Sequence, residues 1–135
     1  RGRTVSVAYL GLTRTNPSAL DQWLAFDLLD PGTLPFDHDL IIDTALRRLR
    51  GKIRYTNIAA KLLPDLFRIE ELQQVYEAIL GRSLNRANFR TKLLKIGCIE
   101  RAGVMEDAVG SQGGRPPHLY RFTAEDIEAA DRDFL

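Results

Sequence analysis

From Ile69 to Phe122 the chain prescribes an order of elements that few folds accommodate: helix, tight turn, helix, then two short strands around a glycine-bearing loop. Apolar residues at 69, 72, 75, 76, 79 and 80 recur at helical spacing and line one face, which predicts a helix over Ile69–Leu80. Gly81 follows where a left-handed C-cap belongs. A short turn leads to Asn85, whose side chain suits an N-cap, and a second helix runs from there to Ile96 before Gly97 stops it. Strands are expected at Ile99–Ala102 and His118–Phe122, joined by the loop Gly103–Pro117. Within that loop Gly110-Ser111-Gln112-Gly113-Gly114-Arg115-Pro116-Pro117 forms the tip. The order predicts an α+β fold, a winged helix-turn-helix, in which the second helix of the pair enters a DNA major groove.

The helical wheel of Asn85–Ile96 sharpens the expectation. At 100° per residue Phe89, Leu93, Ile96 and the more distant Leu94 turn inward, while Asn88, Thr91, Lys92 and Lys95 turn outward. An amide on that face matches the donor and acceptor edge of adenine, and lysines match phosphates or guanine. Arg86 lies nearer the buried side, but in the first turn, where a long side chain still reaches a groove. Arg90 sits between Leu93 and Leu94 and suits an ion pair with Glu71 or Glu77 as well as it suits DNA. One polar helix face alone describes any solvated helix, so the surrounding charge decides. From Gly81 to Arg121 there are eight Arg and Lys against three Asp and Glu, a net +5, in a chain whose total is only +1. The candidate DNA contacts are therefore Arg86, Asn88, Thr91, Lys92 and Lys95 on the helix, with Gln112 and Arg115 on the wing.

Upstream, Thr4–Leu12 alternates and predicts a strand, and Trp23–Asp27 a second. Two strands alone are too few to be stable, so they belong to a larger sheet. Trp23, Phe26 and Phe36 are expected in a core or an interface. A helix is expected to open at Asp37, with Leu40, Ile41, Ala45, Leu46 and Leu49 as its apolar stripe and Arg47, Arg48 and Arg50 in its last turn. That basic end is either solvated or touches phosphate. Ile53-Arg54-Tyr55 is expected to give the first wing-sheet strand, and Ile58–Leu63 a short helix halted by Pro64. Arg68 stands where a capping acceptor belongs before the helix Ile69–Leu80. The last thirteen residues hold five acidic side chains and one arginine, a net −4, and Thr123-Ala124-Glu125-Asp126 predicts an acidic helix with a capping box.

A length of 135 residues, 44% of them hydrophobic, permits one domain or a domain plus a fragment. Arg1 in place of Met is expected of a fragment. The single cysteine, Cys98, excludes a disulfide framework and a thiolate cluster within this sequence and reads as a small apolar filler. No run of 18 apolar residues occurs, so a cytoplasmic protein without a membrane partner is expected. His38 and His118 lie far apart and lack second ligands at metal spacing. No nucleophile has a base nearby in sequence, and the wing glycines are not flanked by the strand-to-helix transition of a phosphate loop. Neither an active site nor a metal or organic cofactor is expected.

Several segments together resemble the Nudix-related transcriptional regulators of NAD metabolism. They are Phe36-Asp37-His38, Leu46-Arg47-Arg48-Leu49-Arg50-Gly51-Lys52, Tyr55-Thr56, Ala60-Lys61-Leu62-Leu63-Pro64 and, most fully, Glu71-Leu72-Gln73-Gln74-Val75-Tyr76-Glu77-Ala78-Ile79-Leu80-Gly81. Asn88-Phe89-Arg90, Lys92-Leu93-Leu94, Gly114-Arg115-Pro116 and Leu119-Tyr120-Arg121-Phe122 continue the series to residue 122. The resemblance implies a C-terminal winged helix that binds operators of NAD-synthesis genes, and a Nudix-like domain that senses ADP-ribose or a related nucleotide. It implies three parts: residues 1–36 as the end of the Nudix-like domain, 37–122 as the winged helix-turn-helix, and 123–135 as an acidic C-terminal helix. The family's Nudix signature, a glycine followed by spaced glutamates and an Arg-Glu pair, is absent, so hydrolysis by this chain is not expected.

The expected function is that of a sequence-specific DNA-binding transcriptional regulator, a repressor, partnered by double-stranded DNA and acting as a homodimer. The rival is a fragment of a Nudix hydrolase, an ADP-ribose pyrophosphatase, with an accessory winged-helix dimerisation module. A winged helix devoted to protein contacts is a third reading.

Overall fold

The computed structural model describes residues 7–13, 32–104, 116–130 and 135. Helix α1 spans His38–Lys52. A short 3-10 helix, Ile58–Leu62, and the two-residue strand β1, Phe67–Arg68, lead into helix α2, Ile69–Leu80. Helix α3, Arg86–Ile96, and strands β2, Ile99–Val104, and β3, His118–Phe122, complete the order. The three strands form an antiparallel sheet in the order β1-β3-β2. This is the expected winged-helix arrangement, a helix pair packed on a small sheet.

The periodicities that prescribe α2 and α3 also fill the core. Ile69, Leu72 and Tyr76 of α2 pack with Phe89 and Leu93 of α3, with Ile53, Ala59, Leu63 and Phe67 from the first half of the domain, and with Ile99 and Tyr120 from the sheet. Tyr76 meets Phe89 edge-on at 4.9 Å between ring centroids, the geometry the ring quadrupoles favour. The Tyr76 hydroxyl is buried and finds no hydrogen-bond partner among the described residues, and its burial drives the phenol's ionisation far above the ordinary range. Phe67 and Phe122 face each other across the sheet at 5.2 Å.

Three expectations are corrected. The first concerns the opening strand of the sheet. It is Phe67–Arg68, directly before α2, and not Ile53–Tyr55. The amides of residues 53–56 fold back onto α1, with Ile53 N–H donating to the Leu49 carbonyl at 2.9 Å and Thr56 N–H to that of Lys52 at 2.9 Å. They cannot also serve a sheet ladder.

The second correction lies at the N-terminus. Residues 7–12, the described part of the expected strand Thr4–Leu12, adopt no strand, and Tyr9 is 92% exposed. No described strand lies alongside to take their backbone hydrogen bonds. The expected strand Trp23–Asp27, with Trp23 and Phe26, lies outside the described residues. Phe36 is exposed, so its side chain belongs to no core formed by the described residues.

The third correction is at the C-terminus. Residues 123–130 are not helical. The expected cap Thr123 instead donates its hydroxyl to the Gly97 carbonyl at 2.7 Å, and the amides of Glu128 and Ala130 are spent on long-range bonds to Asn57 and Tyr55 at the α1 exit. Tertiary partners outcompete the local capping pattern. None of the described helices is long and apolar enough to cross a membrane.

Candidate nucleic-acid interface

The site begins at the turn between α2 and α3. Gly81 takes the left-handed backbone, φ 68°, that ends α2. The carboxylate of Glu77, in the last turn of α2, then accepts the Leu84 amide at 2.7 Å and the Gln73 side-chain amide at 2.8 Å. Gln73 also donates to the Leu84 carbonyl at 3.0 Å. The Gln73 hydrogen bond, with that from Leu84, lowers the Glu77 pKa from its ordinary value. Asn85 caps α3 by accepting the Asn88 amide at 3.0 Å. Gly97, at φ 80°, closes the helix in the left-handed region.

At the start of α2, Arg68 has no acceptor to offer, and only the reciprocal half of a capping box forms: Glu71 accepts the Arg68 amide at 2.6 Å. Its other carboxylate oxygen lies 3.6 Å from the Arg68 guanidinium. Arg50 of α1 donates to the Ile79 carbonyl at 2.9 Å, satisfying one of the open carbonyls at the end of α2. Arg47 pairs with Asp43 on its own helix. The basic end of α1 is thus divided between structural bonds and the exposed Arg48 and Lys52.

On α3 the wheel holds where packing decides it. Phe89 and Leu93 are buried, Ile96 and Leu94 half-buried, and Asn88, Thr91 and Lys95 exposed. Lys92 is half-buried on the flank of the same face. Arg86 is exposed yet engaged: its Nη1 lies 3.1 Å from Glu70 Oε1 and its Nε donates to Gln73 Oε1 at 3.2 Å. The cross-helix ion pair therefore belongs to Arg86 and Glu70. Arg90 does not hold it, because Glu71 faces Arg68 and Glu77 faces the turn. The sequence pattern offers Arg90 for such a pair, with Glu71 or Glu77, and Arg86 for DNA; the approach of α2 gives the pair to Arg86 instead.

The sheet edge is also basic. Arg121 of β3 pairs with Glu100 of β2 at 2.6 Å, leaving Arg101 exposed. A bulge between Arg101 and Gly103 shifts the register of β2 against β3. Gln112 and Arg115, the expected wing contacts, lie outside the described residues. Cys98 is half-buried rather than buried, and desolvation lifts its thiol to about 11, so it stays protonated and unreactive at neutral pH. Among the described residues no group of three or more His, Cys, Asp or Glu is placed to hold a metal ion.

Sequence reasoning missed Asn57. Only 5% exposed, it follows α1 and binds the backbone of residues 124–128. Its bonds span some seventy residues, so no local pattern announces them.

The organisation described above recurs in known proteins. Residues 59–122 match the family model described as the NrtR DNA-binding winged helix domain. The chain is 33% identical over 135 residues to the ADPR responsive transcriptional repressor NtrR of Acinetobacter baylyi, covering 95% of this chain and 52% of that protein. It thus spans about half the length of the curated relative it matches. Among solved structures it aligns with Shewanella oneidensis NrtR, both in a structure described by that name alone and in one complexed with a 27mer DNA. Each comparison gives a TM-score of 0.53 at 29% identity and covers 74% of this chain and 44% of the other.

Proposed function

We propose that the chain is the DNA-binding part of a transcriptional repressor of NAD-metabolism genes, a reading supported by the match of residues 59–122 to the NrtR DNA-binding winged helix domain. The observation that carries the reading is α3: a capped helix, braced against α2, that leaves Asn88, Thr91 and Lys95 exposed on one face within a basic stretch. Such a face suits the major groove, with Asn88 reading a base edge and Lys92 and Lys95 holding phosphates. Arg86 contributes by fixing α3 on α2. Gln112 and Arg115 are assigned to the wing contact on their place in the sequence alone. The likeness to a repressor named as ADPR-responsive supports an ADP-ribose-type effector, sensed by a Nudix-like domain of which residues 1–36 are the end. Residues 37–122 are then the DNA-binding unit.

A homodimer doubles the small footprint of one helix and matches two-fold operators. The same proposal places the protein in the cytoplasm, together with the DNA on which it would act. Without the glutamates of a Nudix signature the chain lacks the carboxylates that would hold a catalytic magnesium, so we assign it no hydrolase activity. The test is selection of duplexes from a random pool by the purified chain, followed by fluorescence anisotropy across a salt series. A recovered consensus bound with a steep salt slope is the expected result. Recovery of no consensus, with salt-insensitive binding, would overturn the reading.

A further inference from the structure

The C-terminal segment is held beside α3 by an anchor unrelated to the helix-turn-helix. Asn57 donates from Nδ2 to the Asp126 carbonyl at 2.8 Å and to that of Ala124 at 3.4 Å, and its Oδ1 accepts the Glu128 amide at 2.7 Å. The Asn57 amide donates to the Glu128 carbonyl at 3.2 Å, and Ala130 N–H to the Tyr55 carbonyl at 2.7 Å. Thr56 and Ala129 form an antiparallel bridge. At the other end Thr123 binds the Gly97 carbonyl, where α3 stops. Apart from the Thr123 hydroxyl, every strap atom in these bonds is backbone. The side chains of Glu125, Asp126 and Glu128 therefore stay exposed, and none of their carboxylates is engaged by a described group.

The segment also flanks the surface assigned to DNA. Glu128 and Ala129 share a groove with Lys95 and Ile96. Further along the helix, Leu135 lies in a hollow with Asn88, Phe89 and Lys92 and packs against the core cluster. One flank of α3 is thus occupied at both ends by C-terminal residues. When a recognition helix enters a major groove, phosphate strands run past its two sides, so that flank is where a backbone must approach. Charges in water interact over a Debye length, about 10 Å at 0.1 M salt, so the exposed Glu128 carboxylate acts on Lys95, with which it shares a groove.

Resting on the DNA-binding reading above, we propose that residues 123–130, with Leu135, form an autoinhibitory guard on α3. The guard is an acidic strap, fixed by Asn57, that lowers the positive potential beside Lys92 and Lys95 and partly covers Asn88. It weakens charge-driven binding to arbitrary DNA, and it yields where base contacts supply enough affinity to displace it.

The full chain tests this by fluorescence anisotropy on a random-sequence duplex. The triple variant Glu125→Gln, Asp126→Asn, Glu128→Gln preserves the backbone bonds that dock the strap. It should bind about three- to tenfold tighter at low salt, an advantage that fades as salt rises. A control triple with the same change in net charge, Asp37→Asn, Asp39→Asn, Asp65→Asn, should tighten binding clearly less. Leu135→Ser leaves every carboxylate in place and should tighten it about two- to threefold by uncovering Asn88 and Lys92. Equal gains in both triples would reduce the strap to part of the general charge and overturn the guard. Unchanged or weaker binding by both the tail triple and Leu135→Ser, with native circular dichroism, would make it a structural brace and overturn the guard too. Should the tail triple fail to fold, Leu135→Ser decides alone. Absence of duplex binding by the wild type and every variant would instead overturn the DNA-binding reading.

Discussion

The Glu77 carboxylate accepts the Leu84 backbone amide at 2.7 Å, and that bond sets where the second helix of the pair begins. A turn that must reverse the chain between two helices leaves amides open, and Glu77 closes one of them from the preceding helix. Because Gln73 and Leu84 both donate to the ionised form, the Glu77 pKa falls from its ordinary 4.5. A depressed carboxylate contributes stability above its unfolded pKa and loses that contribution as pH falls through the folded one. Glu77→Gln should therefore lower the urea midpoint at neutral pH, and the gap to wild type should close below the ordinary carboxylate range. Urea titrations at several pH values measure this; a gap that does not change with pH would remove the charged carboxylate from the account of the turn.

The cap one residue further on makes a separate prediction. Asn85 accepts the Asn88 amide at 3.0 Å, so Asn85→Ala should destabilise the domain by about 1 kcal/mol, whereas Asn85→Asp, which keeps an acceptor, should be close to neutral. Thermal or urea unfolding gives both numbers. Equal losses in the two variants would show that the side-chain bond contributes nothing to the start of α3.

These two devices differ in how far the sequence announces them. Asn85, Gly81 and Gly97 are local signals, and the bounds of α2 and α3 follow from them together with the apolar stripe. Glu77 reaches only seven residues, yet a glutamate near a helix end is common enough that its role appears only with the turn in place. Ile53-Arg54-Tyr55 has strand-like side chains, but its amides are already spent on α1, so the first strand of the sheet forms elsewhere. The same competition removed the expected C-terminal helix, where a capping pattern at Thr123 lost to Gly97 and Asn57. Of the site, the outward face of α3 was legible from periodicity. The engagement of Arg86 with Glu70 was not, since it depends on how two helices cross.

Tyr76 carries a prediction of unusual sign. Its ring is central to the core, edge-on to Phe89, but its hydroxyl is buried with no partner among the described residues. Burying a hydroxyl without a compensating bond costs on the order of 1–3 kcal/mol. Tyr76→Phe keeps the ring and deletes the unpaired group, so it should leave stability unchanged or raise it by about 1 kcal/mol. Tyr76→Leu, which loses ring contacts, should destabilise. A clear loss in Tyr76→Phe would mean that the hydroxyl is satisfied in solution.

The last prediction concerns the lysines of α3. Lys95 is exposed in the final turn of the helix, and Lys92 is half-buried one turn earlier on the same side. If each neutralises one phosphate, Lys92→Ala or Lys95→Ala should flatten the plot of log affinity against log salt by about one unit, and the double variant by about two. Lys52, at the end of α1, supplies the control, because removing it changes the net charge equally. Lys52→Ala should leave the slope within about a third of a unit of wild type, since only contacted phosphates release counterions. Anisotropy titrations at four or five salt concentrations resolve such differences. Equal flattening by Lys52→Ala and Lys95→Ala would mean that the chain meets DNA as a diffuse cation, and an unaltered slope in the double variant would move the interface off α3.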